Sequence, residues 1–242
     1  MEDIQRDIHH LPYEALINPH YLYKVIYADM HNNYYWSTDY SAKYYIAQAK
    51  AGFISVTEVY DNQEILLPEM QFDYAILNLD ALHCSKKVSK LINKEHLSIS
   101  IDNNIEEITQ YIENTHKHSW LTPHYASILR ATQGIDENFK VITAYIEYHG
   151  EIVAGEIGYI IGKTYTSLSG FSNKKKQYNN YGTAQLVLLG NYLKEHGFTL
   201  WNLGHPCMAY KMALGAKVYD REDFLEYWFE NTDNHTSQHV FS

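Results

Sequence analysis

FKVITAYIEYHGEIVAGEIGYIIGKTYTSLSGFS, residues 139–172, contains three runs rich in β-branched and aromatic residues. The first two meet at His149-Gly150, a two-residue turn sequence, so FKVITAYIEY and EIVAGEIGYIIG are predicted to form a β-hairpin. KTYTSLSGFS follows as a third strand. A loop, NKKKQYNNYG, then leads into TAQLVLLGNYLKEHG, an apolar helix stopped at Gly197. FTLWNLG reads as a buried strand, PCMAYKMALG as a short helix, and AKVYDREDFLEYW as a strand followed by a helix. Upstream, AILNL and HLSISID read as strands. KKVSKLI and NIEEITQYIENTH read as helices, the second capped by Asp102, Asn103 or Asn104, and a short helix starts at Thr122-Pro123. This order predicts an α+β fold with one mixed sheet flanked by helices.

Before residue 70 the pattern is less regular. Its clearest element is YSAKYYIAQAKAGF, a helix that stops at Gly52. The change of pattern near LPEMQ sets the expected organisation: a small N-terminal domain over 1–70, a larger domain over 71–231, and a mobile tail over 232–242.

With 242 residues, 45% of them hydrophobic, the chain can bury a sizeable core. No apolar run approaches the length of a membrane span, and MEDIQRDIHH has no signal-peptide character, so a soluble, cytoplasmic protein is expected, with no membrane partner. Two distant cysteines, Cys84 and Cys207, make neither a disulfide framework nor a zinc spacing. His9-His10 and His116-Lys117-His118 lack a third ligand at sensible spacing, so no metal is expected. The net charge of −10 argues against general affinity for nucleic acid. Positive charge is gathered in two places, Lys86, Lys87, Lys90 and Lys94 along one helix edge, and Lys174, Lys175 and Lys176 in the loop after the third strand. These are candidate phosphate contacts, or simply solvated faces. The 23 tyrosines stack on bases or fill amphipathic positions equally well.

Gly182 lies where a loop opens a helix behind a strand, where free backbone N–H groups face an anion. With Asn179 and Ala184 it resembles the pyrophosphate turn of acetyl-CoA-dependent N-acetyltransferases. A glycine that only permits a tight turn fits the same pattern.

Several stretches, in order, resemble the leucyl/phenylalanyl-tRNA–protein transferase family. YIAQAKAGFI is similar to that family's early helix ending in Arg-Gly-Ile-Phe-Pro. LDALHCSKKVSKLINKEHLSISIDNNIEEI is similar to its His-x-Ser-Arg-Ser-Leu-Arg-Lys segment with the strand and helix after it. HSWLTPHYASIL is similar to Thr-Trp-Ile-x-x-x-Met, with Trp120 at the family tryptophan. GEIVAGEIGYIIGKTYTSLSGFS is similar to Gly-Glu-Leu-Val-Gly-Gly-Leu-Tyr-Gly through Gly-Glu-Ser-Met-Phe-Ser, and GFTLWNLGHPCMAYKMALGAKVYDREDFL is similar to the closing strand with Leu-Gly-Ala and an acidic-Phe-Leu end.

The resemblance implies a GNAT-like fold behind a small N-terminal domain. It implies transfer of Leu or Phe from aminoacyl-tRNA to the N-terminal amine of a protein, the N-degron chemistry of protein catabolism, with no cofactor beyond the tRNA-borne donor. It puts the acyl side chain near Trp120, Leu168, Ser169, Gly170 and Phe171, and the tRNA along the lysine clusters. At the family's catalytic Glu this chain has Leu168; Ser169, Phe171 and Ser172 match, and Gly170 replaces a Met. At the family's Asp-Cys-Gln it has Asn202, Leu203 and Gly204, with one extra residue before Leu214, which makes His205 the alternative partner of the Gln.

The attacking amine still needs a proton acceptor. Glu156 is one candidate, or else an edge-exposed Glu: strand alternation puts Ile152, Ala154, Glu156 and Gly158 on one face, a small and apolar setting that raises a carboxyl pKa. His205 is the other, or else it bonds backbone near the next helix. Asn202 holds a substrate amide or the terminal adenosine, or ends its strand. Cys207 is a nucleophile or a small hydrophobe. The rival expectations are an acetyl-CoA-dependent N-acetyltransferase using Gly182, and a noncatalytic binding module on the same fold.

Overall fold

The computed structural model describes residues 8–232. After two short helical pieces, Tyr13–Leu16 and Pro19–Tyr21, the chain forms α1 (Ala42–Lys50), β1 (Ile54–Tyr60), β2 (Gln63–Glu69) and β3 (Asp73–Asn78). Next come α2 (Lys86–Glu95), β4 (Ser100–Asp102), α3 (Ile105–Thr115) and α4 (Pro123–Ala131). The three expected strands are β5 (Phe139–Tyr148), β6 (Glu151–Ile161) and β7 (Thr164–Ser172). The chain then runs through α5 (Tyr181–Glu195), β8 (Leu200–Asn202), α6 (Ala209–Ala213), β9 (Lys217–Asp220) and α7 (Arg221–Asn231).

Seven strands form one mixed sheet in the order β9-β3-β8-β7-β6-β5-β4. Every pairing is antiparallel except β8 with β7. That single parallel pair follows from α5, whose helical crossover returns the chain in the direction of β7. The expected α+β fold, a mixed sheet flanked by helices, is thus what the chain forms.

Local chemistry explains the elements. His149 and Gly150 take φ of 54° and 77°, the left-handed pair that a two-residue hairpin turn requires. Thr122 caps α4 by accepting a hydrogen bond from the Tyr125 N–H at 3.1 Å, with Pro123 in the first turn. α5 ends where Gly197 adopts φ 81° and Phe198 N–H reaches back to the Leu193 carbonyl at 3.0 Å. The β1–β2 hairpin was not expected from the sequence. Its turn residues, Asp61 and Asn62, take φ of 48° and 61°, and Asp-Asn is a weaker signal for such a turn than the Gly-containing pairs.

Both sheet faces are covered. One is packed by α1, α3, α4, α7 and the early segment, with Phe53, Tyr125, Ile157, Tyr159 and Trp228 in the core. The other is packed by α2 and α5, with Ala144, Ala154, Tyr165, Val187, Leu189 and Trp201. Residues from both sides of position 70 share the first core. Arg221, at the start of α7, is 1% exposed and donates to the backbone carbonyls of Gln71, Ile26, Asp29, Asn32 and Met70. The stretch expected as a tail, 232–242, lies outside the described residues apart from Thr232, which is buried and bonded to the Trp228 carbonyl.

Candidate active site

β8 pairs with β7 only through Leu200↔Thr164, Trp201↔Tyr165 and Asn202↔Thr166. β7 continues to Ser172, so beyond Thr166 the two strands part. Ser167 to Ser172 continue β7 past this point, and Leu203 to His205 lead the chain away from β8. Leu168 is the extra residue of a bulge, because Gly158 pairs with Ser167 and Ile157 with Ser169. The bulge lets Ser167 face α5 while Leu168 packs against the opposite core.

Glu156 stands beside this parting, on the neighbouring strand β6. It is 3% exposed. Its Oε1 accepts the Tyr165 hydroxyl at 2.8 Å and the Ser167 hydroxyl at 2.7 Å, and its Oε2 lies 3.5 Å from Gln185 Nε2 on α5. Trp201 Nε1 on β8 donates to Ser167 Oγ at 2.8 Å. Burial pushes the Glu156 carboxyl above its ordinary value, while the three side-chain hydrogen bonds pull it back. Small neighbours make the room. A Cβ on Gly158 would fall 2.4 Å from the Tyr165 hydroxyl, and a Cβ on Gly170 would fall 3.1 Å from the Glu156 Cβ. Gly170 pairs directly with Glu156 and is exposed.

The expected face needs one correction. Ala154, Glu156 and Gly158 face α5 together, but Ile152 packs against the other core. A bulge between Ile146↔Ala154 and Glu147↔Ile152 breaks the alternation, a shift that strict period-two reading cannot detect.

Asn202 is 1% exposed and its Oδ1 accepts the Gly204 N–H at 2.9 Å, which shapes the turn leaving β8. His205 Nε2 sits 2.8 Å from Glu69 Oε2. That hydrogen bond raises the imidazole pKa, and partial burial opposes it. The Lys211 ammonium donates to the His205 carbonyl, and burial lowers its pKa. Cys207 is exposed. Tyr210 keeps 43% of its surface exposed, yet its hydroxyl is pushed up to about 12, by burial first and then by Glu156 and Cys207.

Trp120 and Leu168 are partly buried against the same core, Trp120 edge-on to Tyr125 with ring centroids 5.1 Å apart. Ser169 is half-buried, and Phe171 stacks on Tyr111 at 5.0 Å. Glu156 and Gly170 meet on the opposite sheet face, so the expected residues divide between two faces at the parting. Lys86, Lys87 and Lys90 are exposed on α2, and Lys174, Lys175 and Lys176 are exposed before α5. A Cβ on Gly182 would meet Ser172 Cβ at 3.0 Å, so helix–strand packing already accounts for that glycine. The described residues hold no group of three or more His, Cys, Asp or Glu arranged to bind a metal. No described helix is long and apolar enough to cross a membrane.

Sequence reading missed Tyr165, Ser167, Gln185, Trp201 and Glu69. Tyr165 and Ser167 alternate on one strand, which was a usable signal. Gln185 and Glu69 approach from remote segments and carried none.

Glu156 is thus a buried, hydrogen-bonded carboxylate beside the parting of two parallel strands in a mixed sheet. The family model described as leucyl/phenylalanyl-tRNA protein transferase matches residues 76–228, and the chain belongs to that family. The leucyl/phenylalanyl-tRNA–protein transferase of Pseudomonas fluorescens (strain Pf0-1) is 26% identical over 177 residues, 67% of this chain and 70% of that protein. The Pseudomonas entomophila (strain L48) protein of the same name is 24% identical over 165 residues, 65% and 68% of the two chains. Among solved structures, L-PGS from Bacillus licheniformis aligns with a TM-score of 0.41 at 17% identity, over 63% of this chain and 46% of that one. A GCN5-related N-acetyltransferase from Anabaena variabilis ATCC 29413 aligns with a TM-score of 0.40 at 9% identity, over 78% and 44%.

Proposed function

We propose that this chain moves an amino acid, of the Leu or Phe kind, from aminoacyl-tRNA to the N-terminal amine of a protein, with Glu156 as the proton acceptor. The observation that carries the reading is the buried Glu156 carboxylate beside the β7–β8 parting, in a chain whose family position for a catalytic Glu is occupied by Leu168. The amine nitrogen attacks the ester carbonyl as a C–N bond forms. The bond to the tRNA 3′ oxygen then breaks. Glu156 takes a proton from the amine and returns one to the departing 3′ oxygen, so the carboxylate is regenerated. Beyond Thr166, the edge of β7 offers backbone N–H groups to the developing oxyanion. Trp120 and Leu168 supply apolar surface for the acyl side chain, with Ser169 and Phe171 beside them. Asn202 and His205 shape the β8 loop beyond the parting. The lysines of α2 and of the loop before α5 hold tRNA phosphates.

The test is transfer of labelled Leu or Phe from charged tRNA to a peptide with a free N-terminus, with acetyl-CoA as a parallel donor. The expected result is tRNA-dependent labelling that drops on the order of a hundredfold or more in Glu156→Gln, the usual scale for loss of a general base. Labelling from acetyl-CoA alone, or none from any charged tRNA, rejects the proposal.

A further inference from the structure

Resting on the reading of Glu156 as proton acceptor, we infer that Ser167, oriented by Trp201, and Tyr165 are positioning residues that commit Oε1 of Glu156 to the fold and leave Oε2 to take the substrate proton. The direction of each hydrogen bond is fixed by chemistry. An indole N–H can only donate, so at 2.8 Å Ser167 Oγ is the acceptor from Trp201. The serine has one proton, and its nearest remaining acceptor is Glu156 Oε1 at 2.7 Å. The Tyr165 hydroxyl donates to the same oxygen at 2.8 Å. Both in-plane lone pairs of Oε1 are thereby engaged. Among the described residues Oε2 has only Gln185 Nε2 at 3.5 Å, the outer limit of a hydrogen bond.

The surroundings keep that asymmetry. The titratable group in contact with the carboxylate is Tyr165 from β7, whose hydroxyl burial holds well above its ordinary value, and Tyr210 from α6 is likewise raised, by burial first. Gln185 from α5 and Ala144 from β5 carry no charge. Gly170, which pairs with Glu156 across the strands, is exposed and carries no side chain. Trp201 belongs to β8 and Ser167 is the first residue of β7 beyond the parting, so one indole ties the carboxylate's orientation to the place where the strands separate.

The experiment follows the Glu156 carboxyl directly by infrared titration, with its band assigned by difference from Glu156→Gln, and follows the pH profile of transfer in the same variants. Ser167→Ala and Tyr165→Phe each remove a donor to the ionised form. Each is expected to move the carboxyl midpoint and the acidic limb of kcat/KM upward by about half to one pH unit. Ser167→Thr, which keeps the hydroxyl, returns both toward the wild-type values. Gln185→Leu moves the midpoint less than either. The inference is overturned if folded Ser167→Ala and Tyr165→Phe leave the midpoint where it was, or if Gln185→Leu shifts it most. A midpoint that moves while the transfer profile stays fixed also overturns it, since the reaction would then not use this carboxylate. Absence of transfer in the wild type would reject the transferase reading by itself, and the infrared titration would still decide which oxygen the fold engages.

Discussion

Glu156 combines two demands that oppose each other: a carboxylate buried enough to be basic, and a protein that must carry it. Its folded pKa lies above the ordinary value of 4.5, so the native state holds its proton to higher pH than the unfolded chain. Stability therefore falls as pH rises from the unfolded to the folded pKa, and above that window the charged group is a standing cost. Glu156→Gln is expected to raise the thermal midpoint at neutral pH and to have no such effect below about pH 4, where both states are protonated. Calorimetric scans at several pH values check this. His205 has the opposite sign. Its raised pKa means that the Glu69 contact stabilises fully below the unfolded value near 6.5 and fades as pH rises through the folded pKa. His205→Gln should accordingly destabilise the protein at mildly acidic pH and change little in alkali.

At the scale of elements, the site depends on two irregularities in otherwise regular strands. The bulge at Leu168 separates Ser167 from Leu168 so that one serves the carboxylate and the other the core. The bulge near Ile152 moves that residue away from Glu156. Each is an extra residue in one strand, and nothing in local composition marks it. The helix caps are different, because a cap is a local hydrogen bond between near neighbours. Thr122→Ala removes the acceptor for the Tyr125 N–H and should cost about 1 kcal/mol in denaturant unfolding, with transfer chemistry unaffected. The caps at Ser41, Asn78 and Ser85 follow the same rule.

Across the whole molecule, Arg221 joins distant parts of the chain. Its guanidinium is buried against five backbone carbonyls from two early segments, with the Phe72 ring 4.7 Å away. Removing it leaves those carbonyls unpaired in the interior, so Arg221→Ala is expected to destabilise by about 3–5 kcal/mol, measured by urea unfolding. Charge acts at the same scale. The protein carries a net −10, so tRNA binding under the proposed function depends on the local lysines. Replacing Lys86, Lys87 and Lys90 with Gln should weaken binding for all sequences alike and reduce the slope of log K against log salt by nearly one for each phosphate that no longer meets a lysine.

The strand–turn–strand run of 139–172, the helix closed by Gly197 and the Thr122-Pro123 start were legible because hydrophobic period, turn residues and caps are set by near neighbours. Candidacy of Glu156 was legible too, since a lone carboxylate among small and apolar residues is a local pattern. What only the tertiary structure decided is the company it keeps. Tyr165 and Ser167 join it across a sheet register, Trp201 by the parallel return of β8, and Gln185 from the covering helix. The two bulges and the β7–β8 parting arise from how strands of unequal length pair, and that pairing is fixed by packing on both sheet faces.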